Sequence, residues 1–290
     1  MVAKRKILIQ LDSDADPSVF DRVVAIDAGA DEVFSYGGVK PETIRDKVHG
    51  AIFTRGPKDL AHTAFFIGGS NVGVGEKLLA EVQRHMLPQF GLRVSVLLDA
   101  SGANTTAAAA VRSAARHLDL AQARALVLGG TGPVGQRVAL LLAQHGAEVR
   151  VASRQLERAA HVVQLVQDKA PAGRLEPAAI DGPDDLSAAL EGRTLVFAAG
   201  AAGVILLPKS ARLACKTLRV AVDLNAVPPL GIEGVDVTDK GVDRDGVLGY
   251  GALGVGDLKM KIHRAAVARL FESNDQVLDA EQIYALAEAF

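Results

Sequence analysis

The chain has 290 residues, 49% hydrophobic and 23% charged, which are the proportions of an ordinary globular protein long enough for two domains. Its net charge of −2 provides no basic field that would attract nucleic acid or an anionic membrane. The single cysteine excludes an intrachain disulfide and a CxxC metal site. The seven histidines form no HxxxH or HExxH pair, so we expect no metal.

The N-terminal segment and the apolar runs bear on location. No apolar run reaches the ~18–20 residues that cross a bilayer, so we expect no membrane association. The first residues are basic, then briefly apolar, and turn acidic at once. This pattern favours a first strand over a signal peptide and predicts a cytoplasmic protein.

The first hundred residues alternate strand and helix patterns. A strand is predicted over 6–11, followed by a helix that starts at Pro17 and ends before Gly29. The apolar stripe expected to bury this helix consists of Val19, Phe20, Val23, Val24 and Ile26. Further strands are predicted near 33–34, 51–53, 64–67 and 94–98, with a helix over 72–86. Residues 1–103 are therefore predicted to form an α/β domain.

The second half repeats the alternation. An alanine-rich helix over 104–118 is predicted to lead into a second domain, residues 104–256. Its strands are predicted at 125–129, 148–152, 194–198 and 218–223, separated by helices; residues 175–180 contain Pro177 and can form only an edge strand. This order predicts a Rossmann-type, doubly wound parallel sheet. Helices near 257–272 and 280–289 are expected to pack back toward the first domain.

A glycine-rich turn lies between the first strand and first helix of the second domain. Gly130, Gly132 and Gly135 match the G-x-G-x-x-G fingerprint in its required strand-to-helix setting. The first glycine is expected to allow the tight turn, the second to admit a pyrophosphate, and the third to let the helix pack closely. Thr131, Pro133 and Val134 complete the loop, whose helix N-terminus would bind phosphate. The motif predicts a bound dinucleotide.

The end of the next strand indicates which dinucleotide binds. NAD-binding units usually place an acidic residue there to bind the ribose 2′-hydroxyl. This chain has Ser153 and Arg154, with Arg158 one helical turn later. A hydroxyl and two guanidinium groups suit a 2′-phosphate, which a carboxylate would repel. We therefore predict NADP as the cofactor.

Other strand ends and one helix supply further candidates. Ala199 and Gly200 end the 194–198 strand with small residues, which would let backbone pass the nicotinamide side of the cofactor. Asp223 and Asn225 end the next strand and either line the same edge or cap the turn that follows. Lys259 lies at the margin of an apolar helix face, where its stem would be buried and its ammonium group exposed.

Motifs along the whole chain resemble one known family. They are DSDADPSVFD at 12–21, FTRG at 53–56, GANTTA at 102–107, GTGPVG at 130–135, NAVPPLGI at 225–232, GALGVGDLKMK at 251–261, LFES at 270–273 and DAEQIY at 279–284. The family is that of the NADP-dependent methylene-tetrahydromethanopterin dehydrogenases of methylotrophic bacteria. The resemblance implies hydride transfer from the methylene carbon of the reduced pterin to NADP, leaving a methenyl cation.

The resemblance also implies a site and an assembly. The pterin would bind on the N-terminal side of a cleft between the two domains, and the protein would be a homo-oligomer. Lys259 matches a family lysine expected to contact the substrate, through a hydrogen bond rather than by stabilising the developing cation. The candidates around the pterin are Asp14, Ser18, Phe20, Thr54, Asn104 and Thr105, with Phe20 placed to stack on the ring.

Two alternatives stay open at this point. One is a methylene-tetrahydrofolate dehydrogenase, with or without a cyclohydrolase activity for which only Lys259 or Lys261 offers water activation. The other is a non-catalytic NADP sensor that uses the same fold to bind a protein partner. The sensor explains the glycine fingerprint but not the polar loops of a second α/β domain.

Overall fold

A computed structural model describes residues 4–290 and divides the chain into two compact units. The first unit extends to Thr105 and takes in Met260–Phe290, and the second is Thr106–Lys259. The boundary was predicted at 103/104, and the helices from 257 onward were expected to pack back toward the first domain. Among the described residues, no helix is long and apolar enough to cross a membrane.

Helices and strands alternate through most of the chain. Up to the end of the fourth helix they are β1 (Ile7–Asp12), α1 (Val19–Asp27), β2 (Glu32–Tyr36), α2 (Arg45–Ile52), β3 (Thr63–Gly68), α3 (Val72–Arg84), β4 (Ser95–Leu98) and α4 (Ala103–Ala115). The next are β5 (Arg124–Leu128), α5 (Pro133–Gln144), β6 (Glu148–Ser153), α6 (Leu156–Lys169), β7 (Arg174–Ala179), α7 (Pro183–Leu190), β8 (Leu195–Ala198), α8 (Lys209–Ala214) and β9 (Val220–Asp223). The last are β10 (Lys240–Arg244), β11 (Val247–Tyr250), α9 (Ala252–Arg269), β12 (Val277–Leu278) and α10 (Ala280–Ala287).

The first unit contains a parallel sheet in the order β12-β4-β3-β1-β2. Every residue of β3 and β4 is buried, because helices cover both faces of a parallel sheet. On one face Phe65, Ile67 and Val96 pack with Val48 and Leu78 from α2 and α3. The strand order reverses between β1 and β3, and ligands bind at the carboxyl edge of such a switch point.

The second unit contains a seven-stranded sheet in the order β10-β11-β9-β8-β5-β6-β7. All neighbouring strands are parallel except β10 and β11. The order reverses between β5 and β8, so the predicted doubly wound parallel sheet is confirmed and its switch point lies at the glycine-rich turn. Pro177 lies in the edge strand β7, where its missing N–H breaks no ladder on the open side.

Two local predictions in the first unit are wrong. Residues 51–53 were expected to form a strand, but they follow or end α2, which buries Val48, Ala51 and Ile52 at helical spacing. The apolar stripe of α1 is not the buried face either: Val19, Val23 and Ile26 are all more than half exposed, and only Val24 and Ala25 of this helix are buried.

The antiparallel hairpin β10–β11 was not predicted. Its two-residue turn is Asp245-Gly246, and both residues have positive φ, 58° and 86°. Asp-Gly in this conformation matches the twist of a hairpin. The dipeptide between 240–244 and 247–250 is a signal that the sequence analysis overlooked.

Candidate active site

A cavity of about 1020 Å³ opens at the carboxyl edge of the second sheet. Its lining residues come from the turns after β5, β6, β7 and β8: Leu128, Gly129, Thr131, Gly132, Pro133, Ala152, Ser153, Arg154, Gln155, Arg158, Ile180, Asp181, Ala199, Gly200, Ala201, Val204 and Leu206. This edge flanks the β5/β8 switch point, where doubly wound sheets bind dinucleotides. The cavity is large enough for an extended cofactor.

The glycine-rich turn approaches its neighbours so closely that side chains are excluded at several positions. Gly129 has φ +68°, and a Cβ there would lie 2.5 Å from the Gly200 Cα. A Cβ on Gly135 would lie 2.7 Å from the Gly129 carbonyl oxygen, which fits its predicted role in close helix packing. A Cβ on Gly132 would meet nothing nearer than 3.5 Å, which leaves open space at the N-terminus of α5. That space suits a pyrophosphate.

One glycine role is corrected by the structure. The tight turn was predicted at Gly130, but the residue with left-handed backbone is Gly129. A Cβ on Gly130 would lie 2.7 Å from Val151 Cγ1, so Gly130 is small because β6 packs against it. Gly130, Val134 and Gly135 do not line the cavity.

The polar end of the cavity follows β6. The Ser153 hydroxyl oxygen accepts a hydrogen bond from the Gln155 backbone N–H, which leaves the hydroxyl proton available to a ligand. Arg154 and Arg158 are exposed and line the cavity. Within residues 4–290, neither guanidinium forms a hydrogen bond or an ion pair. Two unengaged cations beside a hydroxyl donor suit an anion such as a 2′-phosphate.

The opposite end of the cavity is small and apolar. Ala199 and Gly200 follow β8, and the Ala199 N–H donates to the Leu128 carbonyl oxygen at 2.9 Å. A Cβ on Gly200 would lie 2.7 Å from Leu206 Cδ1, so this turn is closely packed. Both nominated residues therefore lie in the cavity wall, together with Val204 and Leu206, which the sequence analysis did not name.

Asn225 lies outside this cavity, so the structure does not place it with the other cofactor candidates. It is buried, its side-chain oxygen accepts from the Val227 N–H at 3.0 Å, and its amide donates to the Pro229 carbonyl oxygen at 3.2 Å. Asp223 holds the same loop, since its carboxylate accepts from the N–H groups of Asn225 and Ile232. Both side chains shape the loop after β9.

Burial raises the pKa of the Asp223 carboxyl, although backbone hydrogen bonds partly oppose the shift. Asp223→Asn is expected to lower the free energy of unfolding by about 1–3 kcal/mol at neutral pH, because an amide leaves one buried N–H without an acceptor. A folded-state pKa above the unfolded value means that the folded chain binds the proton more tightly. The advantage of the wild type over Asp223→Asn therefore grows as pH falls through that folded pKa. Urea unfolding of both proteins at neutral and acidic pH measures this difference in the free energy of unfolding. A difference that shrinks on acidification would contradict the prediction.

The carboxyl edge of the first sheet brings together several predicted pterin residues. At the β1/β3 switch point, the Asp14 carboxylate accepts from both the N–H and the hydroxyl of Ser70, each at 2.9 Å. The buried Asp12 carboxylate accepts from the Asp14 and Ser18 N–H groups at 2.9 and 3.2 Å. These bonds fix the loop after β1 against the loop after β3. Ser70 and Asp12, which hold these loops, were not among the predicted candidates.

Asn104 and Thr105 are buried and hold the turn between β4 and α4. The Asp99 carboxylate accepts from both of their N–H groups at 3.0 Å and from the Thr105 hydroxyl at 2.6 Å. The Asn104 amide donates to the Leu98 carbonyl oxygen at 2.7 Å and to the Asp279 carboxylate at 2.9 Å. Both side chains therefore hold this turn in place at the carboxyl edge of the sheet.

Ser18 and Phe20 begin α1 at the same edge. The Ser18 hydroxyl caps the helix by accepting from the Asp21 N–H at 3.2 Å. Phe20 is 49% exposed, and its ring lies beside that of His263, with ring centroids 6.1 Å apart. His263 is fully buried and stacks on Phe66. An aromatic ring that packs against a buried residue on one side and is exposed to solvent on the other suits stacking on a flat ligand.

Thr54 is separated from this group. It follows α2, and its hydroxyl donates to the Ala51 carbonyl oxygen at 3.1 Å. The adjacent Arg55 donates to the carbonyl oxygens of Arg5, two residues before β1, and His62, one residue before β3. Thr54 therefore lies at the amino edge of the sheet, away from Asp14, and we correct its inclusion among the residues around the pterin.

Lys259 lies on α9 and is half-buried. The first turn of this helix is fixed, since the Leu253 N–H donates to the Val237 carbonyl oxygen at 2.8 Å. A Cβ on Gly254 would lie 1.8 Å from the Asp239 carbonyl oxygen, so only glycine permits this approach. Among the described residues, no group of three His, Cys, Asp or Glu side chains is arranged to hold a metal ion.

Solved structures share this architecture. Shikimate 5-dehydrogenase from Listeria monocytogenes aligns over 97% of this chain and 96% of its own, with a TM-score of 0.55 and 14% identity. Quinate dehydrogenase from Corynebacterium glutamicum, solved with NAD, aligns over 99% of both chains, with a TM-score of 0.53 and 16% identity. At these identities the similarity establishes the fold.

Sequence comparison establishes the family. The model for the N-terminal region of methylene-tetrahydromethanopterin dehydrogenase matches residues 19–101. "Bifunctional protein MdtA" of Methylorubrum extorquens is 44% identical over 288 residues, which cover 98% of both proteins. The NAD(P)-dependent methylenetetrahydromethanopterin dehydrogenase of the same organism is 32% identical and also aligned over 98% of both. This chain therefore belongs to the methylene-tetrahydromethanopterin dehydrogenase family.

Proposed function

We propose that this protein is an oxidoreductase that transfers a hydride from the methylene carbon of methylene-tetrahydromethanopterin to NADP. The product is the methenyl cation of the pterin, in one-carbon metabolism that oxidises formaldehyde. Family membership supports the reaction, and the cavity of the second unit supports a nicotinamide dinucleotide.

The observation that carries the proposal is the composition of this cavity. One part is the open space at Gly132, at the N-terminus of α5, which a pyrophosphate fits. Another is the pair of unengaged guanidinium groups of Arg154 and Arg158 beside the Ser153 hydroxyl. The third is the small apolar end at Ala199 and Gly200. In this order they match the pyrophosphate, the 2′-phosphorylated ribose and the nicotinamide side of NADP.

The chemistry requires orientation more than proton transfer. When bound, NADP supplies the nicotinamide carbon that accepts the hydride. The donor carbon lies between two nitrogens whose lone pairs stabilise the cation left behind, so no general base is needed. The residues around Gly132 and Gly200 would therefore act by fixing the position of the cofactor. Catalysis then arises from holding the hydride donor and acceptor close together in the reactive orientation.

We place the pterin at the carboxyl edge of the first sheet. Phe20 would stack on the ring, and Asp14 and Ser18 border it on the loop after β1. Asn104 and Thr105 would act indirectly, by holding the turn after β4. Lys259 would donate a hydrogen bond to a pterin oxygen, since a cation gains nothing from facing a developing cation.

The test is absorbance-monitored reduction of NADP, and separately of NAD, with methylene-tetrahydromethanopterin and with methylene-tetrahydrofolate. Rapid NADP reduction with the methanopterin compound is the expected result. Turnover with the folate compound alone would mean that tetrahydrofolate, and not tetrahydromethanopterin, carries the one-carbon unit. Cofactor binding without turnover on either compound would favour the NADP sensor. Loss of the methenyl product faster than its spontaneous hydrolysis would add a cyclohydrolase activity.

A Lys259→Ala variant, assayed in the same way, tests the role of this lysine. We expect kcat to fall at least about tenfold while the dissociation constant for NADP stays within about twofold, because the lost hydrogen bond is to the pterin alone. Lys261→Ala is the matched control on the same helix. Unchanged kcat in Lys259→Ala would remove Lys259 from the site.

The homo-oligomer and the cytoplasmic location stay predictions from the sequence.

A further inference from the structure

The end of the cofactor cavity that follows β7 contains the carboxylate of Asp181, which contacts none of the groups of NADP placed above. Asp181 lines the cavity two residues beyond the end of β7. Its backbone N–H donates to the Asp185 carboxylate at 3.1 Å, which fixes the chain at this position. Within residues 4–290 its own carboxylate accepts no hydrogen bond and forms no ion pair, even with the two arginines of the same cavity.

The sheet register places Asp181 next to the ribose-binding residues. Ser153 at the end of β6 pairs with Ala179 at the end of β7, and the Ile180 N–H donates to the Ser153 carbonyl oxygen at 2.9 Å. Ile180 and Asp181 are therefore one strand further from the glycine-rich turn than Ser153 and Arg154. A dinucleotide that places its pyrophosphate at the turn and its ribose at Ser153 directs its purine base toward these two residues.

The two residues offer a base different contacts. Ile180 is half-buried and provides apolar surface for the flat ring. An ionised carboxylate can only accept hydrogen bonds. Adenine has an N6 amino group, which donates, whereas hypoxanthine and guanine have an oxygen at that position, which accepts. A carboxylate at this position attracts the N6 amino group of adenine and repels the oxygen of hypoxanthine or guanine.

We propose that Asp181 determines base specificity by accepting a hydrogen bond from the N6 amino group of adenine and thereby excludes 6-oxopurine dinucleotides. This assignment rests on the proposed binding of NADP in the cavity. It concerns the adenosine half of the cofactor, and is independent of which reduced pterin donates the hydride.

The test compares calorimetric dissociation constants, without pterin, for NADP and for nicotinamide hypoxanthine dinucleotide phosphate, which differs by an oxygen in place of the amino group. The wild type is expected to bind NADP at least about tenfold more tightly. Asp181→Asn should reduce the ratio to within about twofold, because an amide can turn either its oxygen or its NH₂ toward the base. Asp184→Asn, which removes the same charge from an exposed site outside the cavity, should keep the wild-type ratio.

Two outcomes overturn the assignment. Equal binding of both dinucleotides by the wild type excludes base reading whatever the variants do. A wild-type ratio retained in Asp181→Asn excludes Asp181 as the reader. Because no pterin is present, a failure of hydride transfer leaves this result intact, whereas absence of any dinucleotide binding would contradict the proposed function itself.

Discussion

Replacing Arg154 with glutamate is expected to raise the dissociation constant for NADP about 100-fold, because a carboxylate would replace one of two guanidinium groups that hold the 2′-phosphate. The dissociation constant for NAD should change less than about threefold, since NAD has a hydroxyl at that position. Arg154 is exposed and has no partner among the described residues, so the fold does not depend on it. Titration calorimetry with both cofactors measures the change in preference.

The matched control is Arg219→Glu, which makes the same charge change at an exposed arginine outside the cavity. It should alter NADP affinity less than about threefold, as expected for a screened charge at a distance. If Arg154→Glu weakened NAD and NADP equally, the arginine would be shaping the cavity rather than binding the 2′-phosphate. The prediction of NADP as the preferred cofactor would then be wrong.

Two neighbouring glycines are expected to respond to alanine in opposite ways. Gly132 has extended backbone, φ −77° and ψ 168°, and its new methyl group would meet only ordinary contacts at 3.5 Å. Gly132→Ala should therefore keep its melting temperature. The methyl group would occupy the space of the pyrophosphate, so the dissociation constant for NADP should rise about 100-fold.

Gly129→Ala should instead destabilise the protein. The left-handed backbone at φ +68° costs alanine about 1–2 kcal/mol, and its methyl group would lie 2.5 Å from the Gly200 Cα, which is backbone and cannot rotate away. Thermal melts of the two variants measure the contrast. A lower melting temperature in Gly132→Ala, or unchanged NADP affinity in a well-folded Gly132→Ala, would contradict the assignment of the pyrophosphate to this position.

Sequence patterns predicted the central parallel strands of the second unit well, because their signals are local. A buried parallel strand is a short apolar run, and the strands at 125–129, 148–152, 194–198 and 218–223 all appear within a residue or two of β5, β6, β8 and β9. The glycine fingerprint and the arginines after β6 are also contiguous in sequence. Both lie at the cavity because strand ends of a parallel sheet meet at one edge.

Local patterns failed where burial depends on distant residues. Residues 51–53 are apolar enough for a strand, but their neighbours place Val48 and Ile52 on one helical face against the core. The stripe on α1 has helical spacing, but the helix lies beside the edge strand β2 and packs on the sheet through Val24 and Ala25. Amphipathic spacing indicates a helix without indicating which of its faces a sheet will cover.

The α/β class, the dinucleotide turn and the charge that suits a 2′-phosphate follow from short segments of sequence, and the family follows from short motifs spread along the whole chain. Which polar residues share an edge depends instead on the tertiary structure. It joined Asp14 to Ser70 across 56 positions and brought Asp181 beside Ser153, while it placed Thr54 at the opposite edge of its sheet. Such placements follow from strand order and register, which arise from packing over the whole sheet rather than from any one segment.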